Sequence, residues 1–69
     1  MINLGVKNRL KEIRMREYML NQTEFSKLLG YDLKTVSNWE REVSTPILER
    51  AIDVSNKLNK KVNDIWYLE

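Results

Sequence analysis

The chain lacks cysteine and histidine, and its 69 residues include one proline and two glycines. Without cysteine no disulfide can form, and without cysteine or histidine a structural zinc site is effectively excluded. A chain this short buries only about 60% of the surface it exposes when unfolded. Its stability must therefore rest on a compact apolar core. A composition of 42% hydrophobic and 32% charged residues is that of a globular chain rather than a disordered one. Long apolar runs are missing as well, and none approaches the ~20 residues of a transmembrane helix. The opening MINLGV has neither the basic region nor the apolar stretch of a signal peptide. The expectation is one domain over residues 1–69, cytoplasmic, with no membrane partner. Nothing resembles a glycine-rich phosphate loop or a pair of carboxylates desolvated together, so catalysis is the weakest functional reading. No cofactor and no metal are expected.

Charge is nearly balanced, with 12 basic and 10 acidic side chains, but it is unevenly placed. Lys7, Arg9, Lys11, Arg14 and Arg16 stand against the single acid Glu12 in the first sixteen residues. After Pro46 there are four bases and four acids. A basic N-terminal segment suits a polyanion, and a solvated helix face is the competing explanation.

Periodicity predicts five helices and no strand. Val6, Leu10 and Ile13 share one face of a helix from about residue 4 to 17. Asn21, with Glu24 three residues later, has the spacing of a capping box. The helix it opens would bury Phe25, Leu28 and Leu29 and end at Gly30, where a positive φ costs glycine nothing. Asp32 is placed to cap a third helix, 33–41. Thr45 and Pro46 read as the cap and first residue of a fourth, whose apolar row is Leu48, Ala51, Ile52, Ser55 and Leu58. Val62, Ile65, Trp66 and Leu68 mark a short fifth.

The third helix carries the chemistry. Around its axis Leu33, Lys34, Ser37, Asn38 and Arg41 fall within a sector of roughly 140°. Val36, Trp39, Glu40 and Val43 lie opposite, with Trp39 expected in the core. The outward sector has no acid, whereas a merely solvated face is more usually rich in Glu and Lys at i,i+4 spacing. Its inventory matches the edges of base pairs in a major groove. Asn pairs bidentately with adenine, Lys with guanine O6 and N7, Ser with either, and an apolar group meets the thymine methyl.

The preceding helix completes the unit. From Gln22 to Arg41 the small Ser26 stands where two helices must approach and Gly30 stands at the turn. Phe25, Leu29, Tyr31, Val36 and Trp39 fill the corner. Two helices crossing steeply over a short turn with Gly is the helix-turn-helix arrangement. NQTEFSKLLGYDLKTVSNWE, followed by TPILERAIDVSNKLNKKVNDIW, resembles the phage repressor and Cro family of XRE-type regulators. The resemblance runs from about Lys7 to Trp66. It implies an all-α, five-helix, lambda-repressor-like domain that binds double-stranded DNA as a sequence-specific regulator, a repressor in the first instance. By the same resemblance Leu33, Lys34, Ser37 and Asn38 would read bases, while Asn21, Gln22, Arg41 and Thr45 would meet the DNA backbone. Arg14 and Glu40 would form the family's buried ion pair. A palindromic operator and a weak homodimer, fully formed on DNA through Leu58 to Leu68, complete the expectation.

Two features depart from the family pattern. Glu42 stands where the family usually ends the helix with glycine, and RMREYMLNQ is one residue longer than the commonest spacing. The extra residue is assigned to the loop between the first two helices. Lys57, Lys60 and Lys61 read as a solvated helix end. Trp66 is expected inside and Tyr67 partly outside. The alternative function is a small helical protein-interaction module or an antitoxin-type partner with the same fold.

Overall fold

A computed structural model describes residues 5–69; the expected helix start at residue 4 and most of MINLGV lie outside them. The order is β1 (Val6–Asn8), α1 (Leu10–Ile13) continuing as a π-helical turn over Arg14–Tyr18, α2 (Gln22–Leu29), α3 (Leu33–Glu40), α4 (Leu48–Lys57), α5 (Val62–Ile65) and β2 (Trp66–Leu68). One apolar cluster serves all five helices: Leu10, Ile13, Phe25, Leu29, Val36, Trp39, Ala51, Val54, Leu58, Ile65 and Trp66. Most of the apolar rows in the sequence reach it. Leu28, Leu48, Ile52 and Val43 do not and are exposed, while Val54 takes the place in α4 that Ile52 was expected to fill.

The strands are an addition to the predicted architecture. β1 and β2 pair antiparallel, with Val6 opposite Leu68, Lys7 opposite Tyr67 and Asn8 opposite Trp66. Val6 fits a helical template with Leu10 and Ile13 only because four-residue spacing suits that template by chance. Each strand is three residues long, too short for a period-2 pattern to register, and the partner lies at the far end of the chain. The ribbon still obeys alternation: Trp66 is buried while Tyr67 is exposed, with the Arg9 guanidinium 4.4 Å over the Tyr67 ring.

The extra residue before Gln22 is absorbed in the helix rather than in a loop. Over Arg14–Tyr18 the backbone widens, and the Met19 N–H reaches the Arg14 carbonyl, five residues back. A π-turn accommodates one more residue per turn than an α-helix can. Met19 then ends the helix in the left-handed region at φ 52°.

The second helix starts as its sequence predicts. Asn21 Oδ1 accepts from the Glu24 N–H (2.8 Å), and Glu24 Oε1 accepts from the Asn21 N–H (3.0 Å). Gly30, at φ 81°, closes it. Two other caps differ from expectation. Asp32 occupies the N-cap backbone conformation of α3, but its side chain makes no capping bond. Thr45 and Pro46 lie on an extended approach, and α4 begins at Leu48 after Ile47. Proline's fixed φ suits extended backbone as well as a helix start, so its position alone does not locate the first turn.

Met19 is 81% exposed, so its side chain contributes little packing to offset the left-handed backbone. L-residues pay roughly 1–2 kcal/mol there, and glycine's greater unfolded-state freedom returns part of that. Met19→Gly should therefore raise stability by up to about 1 kcal/mol. Urea unfolding would check it, and a lower midpoint would place the strain elsewhere.

Candidate nucleic-acid interface

The surface of α3 is presented by a network behind it. Arg14 Nε donates to Glu40 Oε2 (2.9 Å) and its Nη2 to Oε1 (3.2 Å), a two-pronged ion pair. Arg14 Nη1 donates to the Leu20 carbonyl (3.0 Å). Gln22 Nε2 donates to Glu40 Oε1 (3.1 Å). The Glu40 side chain is 2% exposed and that of Arg14 12%. One carboxylate thus ties the first helix, the following loop and the start of α2 to the end of α3. A planar guanidinium matches carboxylate geometry in a way that an ammonium cannot.

Packing fixes the same element from its other side. Val36 and Trp39 are buried, and Tyr31 meets Trp39 edge-on at 5.2 Å. Ser26 is buried where α2 passes α3, its hydroxyl bonded back to the Thr23 carbonyl (2.8 Å). The corner between the helices is held by α4. The Tyr31 hydroxyl donates to Asp53 Oδ2 (2.7 Å), Lys57 Nζ lies 3.0 Å from the same oxygen, and Lys57 also donates to the Leu29 carbonyl (2.6 Å). Lys57 therefore caps the C-terminus of α2, and Lys60 pairs with Glu17 at 3.0 Å. Only Lys61 of the expected solvated lysines makes no ion pair among the described residues. The bond from Tyr31, then that from Lys57, holds the Asp53 carboxyl below its ordinary value, and the same bond raises the Tyr31 hydroxyl.

What remains outward is a mixed row. Leu33, Lys34 and Arg41 are exposed, and Ser37 and Asn38 half-exposed. Asn38 Oδ1 accepts from Arg41 Nη2 (2.7 Å), which leaves the Asn38 amide N–H groups uncommitted to that partner. Asn21 spends its side-chain oxygen on the helix cap, keeping its amide donors. Gln22 spends one donor on Glu40 and keeps another for an acceptor such as phosphate. Thr45 is exposed on the loop after α3. Asn21 and Gln22 open α2 while Leu33, Lys34, Ser37, Asn38 and Arg41 line α3, and these two helices pack on each other.

Sequence reasoning missed Asn8. Its Nδ2 donates to the Trp39 carbonyl (2.7 Å) and its Oδ1 accepts from the Leu10 N–H (3.1 Å), so it joins the end of α3 to the start of α1. Asn two residues before a helical row is a legible cap signal, but the contact to Trp39 is not local. The basic N-terminal segment also proves largely engaged. Lys7 pairs with Glu42, Arg14 with Glu40, and Arg16 with Glu12, while Arg9 Nη1 donates to the Asp64 carbonyl.

A family model described as helix-turn-helix matches residues 10–65. The chain belongs to the helix-turn-helix family of the phage repressor and Cro type. It is accordingly a DNA-binding helix-turn-helix regulator, built on a domain whose family is not enzymatic. Comparison with curated proteins gave no match. Among the described residues no helix is long and apolar enough to cross a membrane.

Removing Glu40 would leave the Arg14 cation buried without its partner. Breaking such a pair costs about 3–5 kcal/mol, a large fraction of the stability of a small domain. Glu40→Ala should melt far below the parent; a midpoint within a few degrees would show that the network carries little energy. A second expectation concerns acid. Asp53 is lowered from 3.8 in the fold, so its stabilising contribution is present above that value and lost as pH falls through the folded pKa. Asp53→Asn should remove part of the stability lost between pH 4 and strong acid, measured by urea melts over about pH 2–5.

Proposed function

We propose that the protein is a sequence-specific transcriptional repressor, cytoplasmic and folded as one domain over residues 1–69, that reads the major groove with α3. The observation that carries this is the acid-free outward row Leu33, Lys34, Ser37, Asn38 and Arg41, backed by a buried ion pair and an aromatic core. A major groove about 12 Å wide admits one helix. In this reading Lys34, Ser37 and Asn38 bond base edges and Leu33 meets a thymine methyl. Asn21, Gln22, Arg41 and Thr45 hold the register on phosphate. Phosphate contacts position a protein, whereas base contacts specify the sequence.

A palindromic operator with half-sites about 34–36 Å apart would be bound by a homodimer. Within the expected surface from Leu58 to Leu68, Leu58, Ile65 and Trp66 are core, and the apolar side chains left exposed there are Tyr67 and Leu68. Leu48 and Ile52, one turn apart on the outer side of α4, are exposed at 70% and 44%. That exposed pair is the observation behind the second reading, a protein-interaction module or antitoxin-type partner.

Selection of bound fragments from random DNA would supply an operator. Asn38→Ala should then weaken operator binding by about 1–3 kcal/mol and relax preference at one position. Lys34→Ala should do the same and flatten the salt slope if its ammonium displaces a counterion. Gln22→Ala should weaken operator and unrelated DNA by more similar factors. The deciding quantity is the ratio of operator to random-sequence affinity at one salt concentration. If Asn38→Ala and Lys34→Ala both leave it unchanged, α3 does not read bases and the interaction-module reading takes its place.

A further inference from the structure

The loop after α3 leaves the helix through a residue that glycine would fit better. Glu42 sits at φ 64°, where a side chain is strained and glycine is not. Its backbone N–H donates to the Trp39 carbonyl (3.0 Å), and the next residues close onto Asn38, with Val43 N–H 2.9 Å and Ser44 N–H 3.4 Å from the Asn38 carbonyl. The glutamate side chain uses that conformation. Its Oε2 accepts from the Asn8 N–H (3.0 Å), and its Oε1 lies 3.5 Å from Lys7 Nζ. Asn8 answers with its own amide, donating Nδ2 to the Trp39 carbonyl at 2.7 Å. Strand β1 and the end of α3 are therefore joined in both directions across more than thirty residues of chain.

We propose that Asn8 and Glu42 form a bracket that positions the 41–47 loop and the C-terminal end of α3, and so sets operator preference. The proposal rests on the DNA reading given above. The Arg14–Glu40 pair anchors α3 at Glu40, but the loop beyond has no buried apolar residue: Val43 and Ile47 are exposed and Pro46 is half-buried. Its path depends on hydrogen bonds to Asn38 and on the Glu42 side chain. Asn38 is the shared residue, because its carbonyl receives the loop while its side chain belongs to the outward row. Neutralisation also matters. Glu42 is an acid at the end of a helix expected to approach phosphate, and Lys7 with the Asn8 amide holds that charge against the ribbon. Asn8 and Glu42 are positioning residues that act through Asn38 and Thr45.

Glu42→Gly separates positioning from stability, because glycine removes the Glu42 half of the bracket and relieves the backbone strain together. Melting should stay within a few degrees of the parent. Amide hydrogen exchange at Val43 and Ser44 should become at least tenfold faster, and the ratio of operator to random-sequence affinity should fall at least fivefold. Glu42→Gln keeps an acceptor for the Asn8 N–H and should recover most of both. Asn8→Ser keeps an oxygen for the Leu10 N–H and the backbone N–H that Glu42 accepts from, but cannot reach the Trp39 carbonyl. It breaks the other half of the bracket and should also lower the affinity ratio, which decides the matter if Glu42→Gly does not fold. Parent-like exchange at Val43 and Ser44, or an unchanged affinity ratio with faster exchange, would overturn the proposal. If the parent protein itself prefers no sequence, the DNA reading falls, and the exchange data still decide whether the bracket positions the loop.

Discussion

Everything outward on α3 depends on one buried carboxylate. Glu40 receives two hydrogen bonds from Arg14 and one from Gln22, and each donor comes from a different part of the chain. A carboxylate at a helix C-terminus is unfavourably placed with respect to the helix dipole, so its position requires the cation beside it. Arg14 supplies that charge and also bonds the Leu20 carbonyl, fixing the loop that leads into α2. Gln22 connects the two sides of the interface. The same side chain that is expected to meet phosphate is oriented by the anchor of α3. The start of α2 and the angle of α3 are therefore not independent variables in this protein.

The helix ends show where such a small chain accepts strain. Among the described residues three that are not glycine sit in the left-handed region, Met19, Glu42 and Asn59, and each follows a helical segment. Asparagine visits that region readily, because its short polar side chain bonds locally. Met19 is largely exposed and closes a π-turn. Glu42 is compensated by Asn8 and Lys7. The same backbone conformation thus has a different physical basis at each position, so the sequence rule that a glycine marks a helix end would have found only Gly30.

Much of the fold is legible because its signals are local. The capping box at Asn21, the closing glycine and the apolar corner of Phe25, Leu29, Val36 and Trp39 are all read within one or two turns, and the structure has each of them. The failures share a different cause. The β1–β2 ribbon joins the two ends of the chain, and Asn8 meets Trp39 and Glu42 across more than thirty residues. No periodicity spans such distances. The π-turn was hidden for a related reason: an added residue is visible in the sequence, but the element that absorbs it is decided by packing on both sides. Of the outward row, the residue types and their common face could be read directly. That Asn38 lends its oxygen to Arg41 and its carbonyl to the loop could not.

The distribution of charge narrows what can draw the protein to a polyanion. Its basic N-terminal segment reads as an electrostatic footprint, yet Lys7, Arg14 and Arg16 pair with acids and Arg9 lies over Tyr67. A paired cation displaces few counterions, and non-specific affinity follows the number of phosphates neutralised. Besides Arg9, the cations Lys11, Lys27, Lys34, Arg41, Arg50 and Lys61 form no ion pair among the described residues, and Lys27, Lys34 and Arg41 lie on or directly after the two helices of the helix-turn-helix. Such charge attracts a polyanion without distinguishing its sequence. In the proposed reading, discrimination depends on the geometry of Ser37 and Asn38 rather than on bulk charge. The buried ion pair, the aromatic corner and the strained glutamate all act on that one eight-residue helix and its exit, so its geometry is the most heavily constrained feature of the proposed interface.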